Sequence, residues 1–276
     1  MPDDVRCEVV TTRSGVRAMR DGETGELMHP VVGPQVEAEQ LYVAPSRLAQ
    51  RLNEGAEGAL VLLEVGLGAG SNAAAAWKLS ERMPQTARRL TMVSFDRTLA
   101  AFELALAEEH AADFGLQGDA ATAARTLLAS GACETARTSW RLVLGELPFT
   151  LASMPPSMAD VVFWDPFSPR ANPTLWTVAA FAALRRLCRA GATVHTYSRA
   201  TATRSALLLA GFAVGRGEST GEKAETTVAA VDASDLERPL DGRWLERLAR
   251  SSAPLPSDAP PDALERIRAM PQFGPV

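Results

Sequence analysis

Residues 60–72, LVLLEVGLGAGSN, constrain the fold of this chain more than any other segment. A run of leucine and valine leads to Glu64 and then directly into a glycine-rich turn. Three glycines alternate there with other residues: Gly66, Gly68 and Gly70. The alanine-rich residues 72–78 favour a helix. Glycines let the backbone approach a ligand closely, and free N–H groups at a helix start favour anionic groups. The segment therefore predicts a strand, a turn and a helix that bind a nucleotide-like cofactor.

The spacing of the glycines separates two kinds of cofactor site. The dinucleotide fingerprint is G-x-G-x-x-G. Here the third glycine comes one residue earlier, and Glu64 stands two residues before the first. This [D/E]-x-G-x-G-x-G pattern resembles the first motif of S-adenosyl-L-methionine-dependent methyltransferases, and it implies a cofactor site that includes Glu64, the three glycines and Asn72. The alternative is an ordinary strand-to-helix turn without a ligand.

Composition restricts the class of protein. The chain has 276 residues, 46% hydrophobic and 22% charged, as in an ordinary globular protein. No apolar stretch is long enough to span a membrane, and the N-terminus lacks the apolar core of a signal peptide. The three cysteines are far apart and the three histidines are scattered, so we expect reduced thiols, a cytoplasmic location and no metal site. The net charge of −5 indicates that any nucleic acid binds through a local basic patch.

The rest of the chain alternates between strand and helix patterns. Further strands are predicted at 90–96, 141–144, 160–165 and 192–197. Helices are predicted at 98–112, 176–189 and 201–210. Residues 212–216 and 225–231 alternate as an antiparallel hairpin does. We expect an α/β, Rossmann-like class I methyltransferase fold with a seven-stranded, mostly parallel sheet and a terminal antiparallel hairpin.

Two flanks lie outside this predicted sheet. Residues 1–58 are predicted to form an N-terminal capping extension, and residues 59–231 the methyltransferase domain. Residues 232–276 are predicted to form a helical C-terminal tail, with helices at 241–250 and 262–270.

Acidic residues stand at the ends of four predicted strands: Glu64, Asp96, Glu146 and Asp165. Because ligands bind at the carboxyl ends of parallel strands, these acids are expected to meet at one site. Asp96 is suited to accept both ribose hydroxyls, Glu146 to meet the adenine amine, and Glu64 to reach the cofactor amino group directly or through water. A single acid at a strand end is often simply solvated, but four at four ends favour a binding site.

The segment after the fourth strand carries the sharpest local motif. It reads DPFSP at 165–169, followed by Asn172-Pro173 and Leu175-Trp176. Such a turn resembles the D/N-P-P-Y/F turn of amino-methyltransferases. Methyl transfer to an amine is an in-line displacement that needs a free lone pair. The Asp165 carboxylate can accept the amine protons and aim that lone pair, while Phe167 can stack on a planar base. The alternative is an aspartate cap on a proline-rich loop.

The motif DPFSPRANPTLWT, with GLGAGSN upstream and GFAVGRGESTGEK downstream, resembles the methyltransferase domain of the bifunctional tRNA 5-methylaminomethyl-2-thiouridine biosynthesis proteins. The likeness runs from about residue 35 to residue 231 and includes EAEQLYV at 37–43. It implies the cofactor S-adenosyl-L-methionine and conversion of 5-aminomethyl(-2-thio)uridine to 5-methylaminomethyl(-2-thio)uridine at the tRNA wobble position. By this resemblance, Asp165 is the catalytic acid, Asp96 the ribose acid and Glu146 the adenine-side acid.

Two departures from the family pattern bear on the substrate. Nothing after residue 231 is long enough for the flavin-dependent oxidase, so the chain resembles stand-alone members that receive the aminomethyl substrate from a separate enzyme. The basic K-R-E hairpin is reduced to Lys-Ala-Glu at 223–225. The predicted basic rim for tRNA comprises Arg170, Arg199, Arg204 and Lys223, with Arg216 as a further candidate. Two alternatives stay open: a methyltransferase of the same fold that acts on a small-molecule amine, and a non-catalytic cofactor-binding module.

Overall fold

The computed structural model describes residues 7–28, 32–54, 57–218 and 225–274. In this part of the chain, three short strands form an N-terminal antiparallel sheet. They are β1 (Glu8–Thr11), β2 (Arg17–Arg20) and β3 (Leu27–Met28). The central sheet has eight strands: β4 (Leu60–Val65), β5 (Leu90–Asp96), β6 (Ala132–Glu134), β7 (Thr138–Leu144), β8 (Ala159–Trp164), β9 (Cys188–Thr196), β10 (Ala213–Gly217) and β11 (Thr226–Ala230).

The central sheet has the strand order β10-β11-β9-β8-β4-β5-β7-β6. Strands β7, β5, β4, β8 and β9 are parallel, whereas β11 and β10 form the antiparallel hairpin. The chain proceeds from β4 toward one edge and then returns through β8 toward the other. The order therefore reverses between β4 and β8, and the carboxyl ends of these two strands frame the crevice where ligands bind in such sheets.

The predicted fold class is confirmed, with one additional strand. The structure contains the mostly parallel sheet and the terminal hairpin, and β6 pairs antiparallel with β7 as an eighth strand. Strand β6 is only three residues long, so it carries too little periodicity for a sequence-based prediction.

The helices surround the sheet on both faces. They are α1 (Pro34–Glu37), α2 (Leu48–Asn53), α3 (Ser71–Arg82), α4 (Ala100–Ala105), α5 (Asp119–Ser130), α6 (Leu147–Ser153), α7 (Val178–Leu187), α8 (Thr201–Leu209), α9 (Gly242–Arg250) and α10 (Ala263–Arg268). A π-helical segment spans Ala38–Val43, and 3-10 turns span Pro173–Trp176, Ala233–Asp235 and Pro271–Phe273.

Two predicted helices have different bounds in the structure. The helix expected at 98–112 is limited to α4 and is followed by turns. The helix expected at 176–189 begins after Thr177, whose hydroxyl accepts a hydrogen bond from the backbone N–H of Ala180. It ends at Leu187 because the chain enters β9 directly, so Gly191 lies inside that strand and not at the helix end.

Both flanks pack against the faces of the sheet. On one face, Tyr42 and Leu48 join the core formed by α3, α5 and the sheet. On the other face, Trp244 and Ile267 are buried with α7 and α8. None of the helices in the described part of the chain is long and apolar enough to cross a membrane.

The C-terminal tail also hydrogen-bonds along the outer strand β10. The N–H of Arg216 donates to the carbonyl of Arg238, and the N–H of Leu240 donates to the carbonyl of Val214, both at 2.8 Å. The side chain of Gln272 accepts a hydrogen bond from Val214 N and donates one to Val214 O. These contacts satisfy backbone groups of β10 on the side away from β11.

Candidate active site

The glycine turn brings the ends of β4 and β8 together. Gly66 has a φ of +89°, and a Cβ at this position would lie 2.6 Å from the carbonyl oxygen of Asp165. Gly70 has a φ of +80°, and a Cβ there would lie 2.4 Å from the Phe102 ring. Only glycine fits these two positions, because a side chain would collide as well as strain the backbone. The turn thus closes tightly beside the loop that starts at Asp165.

A cavity of ≈ 580 Å³ opens at this edge of the sheet. That volume falls in the range of about 300–1,000 Å³ that is typical of small-molecule sites. Its wall includes six of the predicted site residues: Gly66, Gly68, Asp96, Glu146, Asp165 and Phe167. Residues of the N-terminal region also line the cavity, among them Cys7, Glu26 and Met28.

Asp96 is held at the cavity by backbone N–H groups. Its Oδ2 accepts a hydrogen bond of 2.9 Å from Gly68 N, and its Oδ1 accepts one of 2.7 Å from Arg97 N. Burial raises the pKa of Asp96, while the backbone hydrogen bonds oppose that rise. The carboxylate therefore has a fixed position at the end of β5, where it can accept hydrogen bonds from a diol.

Asp165 is fixed by two side chains that donate to different oxygens. The hydroxyl of Tyr42 donates to Oδ1 at 2.6 Å, and the amide of Asn72 donates to Oδ2 at 2.7 Å. Tyr42 is fully buried, and desolvation together with the charge of Asp165 raises its pKa well above the usual value. Tyr42 therefore stays protonated and acts as a hydrogen-bond donor to the carboxylate.

The backbone that follows Asp165 is also anchored. The hydroxyl of Tyr197 donates to the carbonyl of Pro166 at 3.0 Å, and the indole N–H of Trp176 donates to the carbonyl of Phe167 at 2.8 Å. The rings of Trp176 and Tyr197 meet edge to face with centroids 5.7 Å apart. The aspartate, the proline and the phenylalanine of the DPFSP motif are therefore each held by a buried or half-buried partner.

Three predicted cofactor residues support the wall of the cavity without lining it. Gly70 packs under Phe102, Asn72 donates to Asp165, and Glu64 is 1% exposed. The Glu64 carboxyl accepts a hydrogen bond from Ser94, and burial raises its pKa to about 8. The Glu64 side chain is buried beneath the glycine turn and does not line the cavity, so its contact with the cofactor amino group, directly or through water, stays a prediction.

The arginines of the predicted basic rim differ in their exposure to solvent. Arg170 has a side chain that is 85% exposed, and Arg199 is also exposed. Arg216 is paired with Glu225 and Asp241, and Lys223 lies outside the described residues.

The prediction that Arg204 contributes to the rim is wrong. Arg204 is 1% exposed, and its guanidinium donates to Thr227 Oγ1, to the carbonyl of Thr226 and to the Glu225 carboxylate. Helix α8 packs its inner face against the sheet, so this side chain joins the helix to the start of β11. Its role is structural.

Two residues of the site carry no signal in the sequence that predicts their place there. Tyr42 lies in the π-helical segment and contacts Asp165 across the fold, and Glu26 lines the cavity from the turn between β2 and β3. The EAEQLYV segment contained Tyr42 as part of the family likeness, but nothing local indicated which side chain it would meet. π-Helical turns are frequent at functional sites, which agrees with the place of Tyr42.

No metal site is visible in the described ranges. Within them, no group of three or more His, Cys, Asp and Glu side chains is arranged to hold a metal ion. His195 is buried, which lowers its pKa to about 3, and its Nε2 lies 3.1 Å from Thr193 Oγ1. It is a core residue of β9.

The residues at the cavity fit S-adenosyl-L-methionine. Gly66 and Gly68 line the cavity without side chains, and Asp96 presents a carboxylate at the strand end. The wall is rich in carboxylates, which attract a positively charged sulfonium. Together with the strand order, these features define a class I S-adenosyl-L-methionine-dependent methyltransferase.

Comparison with known proteins supports this class and narrows it. Residues 121–232 match the S-adenosyl-L-methionine-dependent methyltransferase family Methyltransf_30. The chain is 32% identical over 232 residues to the tRNA 5-methylaminomethyl-2-thiouridine biosynthesis bifunctional protein MnmC of Methylibium petroleiphilum, covering 80% of this chain and 34% of that protein. The MnmC protein of Ralstonia nicotianae is 35% identical over 178 residues, covering 61% of this chain and 26% of its own length.

Two solved structures share the fold of this chain. The structure of MnmC2 from Aquifex aeolicus aligns with a TM-score of 0.73 and 25% identity over 98% of this chain and 87% of that chain. Spermidine synthase from Thermotoga maritima shares the fold, with a TM-score of 0.52, 12% identity and coverage of 91% of this chain and 76% of that chain. The chain is a homologue of the methyltransferase part of the MnmC proteins, and it spans about a third of the length of the curated relatives it matches.

Proposed function

We propose that this protein is an N-methyltransferase that converts 5-aminomethyl(-2-thio)uridine at the tRNA wobble position to 5-methylaminomethyl(-2-thio)uridine. The observation that carries the proposal is the fixed carboxylate of Asp165 at the cavity wall, held from both sides by Tyr42 and Asn72. The MnmC relatives, named for the biosynthesis of this modified nucleoside in tRNA, supply the substrate class.

S-Adenosyl-L-methionine, when bound, supplies an electrophilic methyl group on a positively charged sulfur. Gly66, Gly68, Asp96 and Glu146 are the residues that would hold it, since all four line the cavity at the ends of β4, β5 and β7.

The chain's own contribution to the reaction is to orient the amine and accept its proton. Asp165 can accept an N–H of a primary amine, which turns the nitrogen lone pair away from the carboxylate and fixes its direction. The same carboxylate can take the proton that the amine loses as its fourth bond forms. Tyr42 and Asn72 hold the carboxylate in one orientation, and Phe167 offers a half-buried ring to stack on the uracil.

The proposed partner is tRNA, which would meet the exposed side chains of Arg170 and Arg199 near the carboxyl ends of β8 and β9. A separate enzyme is proposed to supply the aminomethyl group on the uridine.

The test is nucleoside mass spectrometry of tRNA that carries 5-aminomethyluridine, after incubation with the protein and S-adenosyl-L-methionine. We expect a gain of one methyl group at this nucleoside, and no gain with the Asp165→Ala variant at equal concentration. Absence of the methylated nucleoside with the wild-type protein would refute the proposed substrate.

A small cationic amine is the second candidate substrate, and the charge of the cavity favours it. In the described lining, Arg97 is the one basic residue. The acidic residues are Asp21, Glu23, Glu26, Glu37, Asp96, Glu146 and Asp165. Such a wall attracts an ammonium group and repels phosphates. Parallel assays with labelled cofactor, on tRNA and on a panel of di- and polyamines, separate the two substrates by which product carries the label.

A further inference from the structure

The carboxylate of Glu26 joins the N-terminal sheet to the loop that follows β8. Its Oε2 accepts a hydrogen bond of 3.0 Å from the backbone N–H of Ser168, and its Oε1 accepts one from the Ser168 hydroxyl. The two residues are 142 positions apart in the chain, and the Glu26 side chain is only 17% exposed. Both hydrogen bonds involve a charged acceptor that is largely shielded from water, so each is strong for its type.

Ser168 makes several of the hydrogen bonds that shape the loop after Asp165. It lies three residues after Asp165, and its carbonyl accepts hydrogen bonds from Ala171 N at 3.0 Å and Asn172 N at 2.8 Å. The carbonyl of Pro166 is held by Tyr197, which follows β9, and the carbonyl of Phe167 by Trp176, which ends a 3-10 turn. Ser168 is instead held by the N-terminal sheet, so its position depends on Glu26.

The other end of the same turn has a weaker contact. Glu23 pairs with Arg97 at 2.8 Å, but the two side chains are 57% and 55% exposed. Solvent screening leaves such a pair with little net stabilisation. Arg170 lies 4.0 Å from Glu26 Oε1 and is 85% exposed, so it is a minor partner of the carboxylate. The link between Glu26 and Ser168 is therefore the stronger of the contacts that this turn makes to the site.

We propose that Glu26 is a positioning residue that sets the conformation of residues 165–169 through Ser168, and thereby the direction in which Asp165 and Phe167 face the substrate amine. The part of this inference that concerns the amine rests on the proposed function. The part that concerns the loop does not, because it follows from hydrogen bonds within the chain.

The first test is hydrogen–deuterium exchange of the whole protein, followed by mass spectrometry of the peptide that covers residues 165–172. In the Glu26→Gln variant the side chain keeps one acceptor oxygen and loses the second, together with the charge. We expect the amides of Ser168, Ala171 and Asn172 to exchange about 10-fold faster or more, because their hydrogen bonds open together. Glu23→Gln, at the other end of the turn, should leave exchange in this peptide unchanged.

The second readout is methyl transfer to tRNA carrying 5-aminomethyluridine. Glu26→Gln is expected to lower kcat about 10-fold, since a small misplacement of a catalytic group has a large effect on rate. The dissociation constant of the cofactor, from calorimetry, should stay within about twofold of the wild-type value. The charge-matched control is Glu8→Gln, which removes an exposed ion pair with Arg20 inside the same N-terminal sheet and should not change kcat.

The outcomes separate this inference from the proposed function. Unchanged loop exchange in Glu26→Gln would overturn the positioning role. An equal increase in exchange in Glu23→Gln would also overturn it, because the faster exchange would then come from weaker docking of the whole turn between β2 and β3. If Glu26→Gln does not fold, Ser168→Ala removes one of the two hydrogen bonds from the other side and must give faster exchange in this peptide than the wild-type protein. A wild-type protein that does not methylate the tRNA refutes the proposed substrate, while the exchange result still decides the role of Glu26.

Discussion

The hydroxyl of Tyr42 lies 2.6 Å from Oδ1 of Asp165, and this hydrogen bond joins residues that are 123 positions apart in the chain. One residue comes from the N-terminal region and the other from the carboxyl end of β8. The contact therefore couples the packing of the N-terminal region to the orientation of the proposed catalytic carboxylate.

Replacement of Tyr42 by phenylalanine removes the donor and leaves the ring in place. We expect kcat for methyl transfer to fall by about 10-fold, because a hydrogen bond to a charged group contributes about 1.5–3 kcal/mol and part of the alignment remains through Asn72. Cofactor affinity, measured by calorimetry, should be unchanged. A variant with wild-type kcat would show that Asn72 alone suffices to orient Asp165.

Replacement of Asp165 by asparagine leaves a single acceptor oxygen where two donors converge. The new amide must turn its N–H₂ group toward Tyr42 or Asn72, and the negative charge that accepts the proton is lost. We expect turnover to fall by about 10²-fold or more, in the range of a positioned acid–base group. The measurement is single-turnover kinetics at saturating cofactor, with cofactor affinity expected within a few fold of wild type. Near-normal turnover in Asp165→Ala would remove Asp165 from the mechanism.

Replacement of Asp96 by alanine should weaken binding of S-adenosyl-L-methionine by about 1.5–3 kcal/mol, the scale of hydrogen bonds to a charged group. Asp96→Asn retains one acceptor oxygen, so its affinity for the cofactor should lie between those of Asp96→Ala and the wild-type protein. Isothermal titration calorimetry gives the dissociation constants directly. Equal affinity in all three proteins would mean that the cofactor ribose is held elsewhere.

The exposed and buried arginines should behave in opposite ways. Arg170→Ala and Arg199→Ala should weaken tRNA binding, and each should reduce the slope of log K against log salt by about 0.7 if its phosphate lies on a single-stranded loop. Arg204→Ala should instead lower the free energy of unfolding by about 3 kcal/mol, because the carbonyl of Thr226 loses a buried donor and Glu225 loses its one fully buried ion-pair partner. Binding titrations at several salt concentrations and chemical denaturation distinguish the two effects. A loss of tRNA affinity without loss of stability in Arg204→Ala would contradict the structural assignment.

Glu64 gives the stability of the protein a specific dependence on pH. Its pKa is about 8 in the folded protein against an ordinary value of 4.5, chiefly because of burial. Between these pH values the folded state holds a proton that the unfolded state has released, so the free energy of unfolding falls as pH rises. The decline contributed by this group is at most about 1.4 kcal/mol per pH unit.

The Glu64→Gln variant isolates this contribution. Glutamine resembles the protonated acid at every pH, so the variant should gain stability relative to the wild type as pH rises through this window, and the difference should level off above pH 8. Denaturant titrations of both proteins from pH 4 to pH 9 measure the difference. Parallel curves for the two proteins would show that Glu64 is not protonated in the folded state.

The features that could be predicted from the sequence are those decided by neighbouring residues. The glycine turn, the acid at the end of β5 and the DPFSP loop each depend on backbone geometry within a few positions, and Gly66, Asp96 and Asp165 all line the cavity as expected. The alternation of strands and helices likewise predicted the sheet, because each element carries its own periodicity.

The features that could not be predicted depend on contacts between distant segments. An arginine on a helix such as α8 faces solvent or the core according to what packs against it, and Arg204 meets acceptors 21–23 positions away. Tyr42 and Glu26 contact the site because the N-terminal region packs against residues 123 and 142 positions away in the chain. The burial of Glu64 was equally hidden in the sequence, because its hydrogen bond with Ser94 depends on the pairing of β4 with the neighbouring strand β5.

The hydrogen bonds that the tail makes to β10 affect how the protein behaves in concentrated solution. A strand at the end of a sheet presents a free row of donors and acceptors, which is a template for pairing with another molecule. Here the backbone at Arg238 and Leu240 and the side chain of Gln272 already occupy positions along that row. The tail thus protects the protein against aggregation at this end of the sheet, and a version shortened to the methyltransferase core would be prone to self-associate through β10.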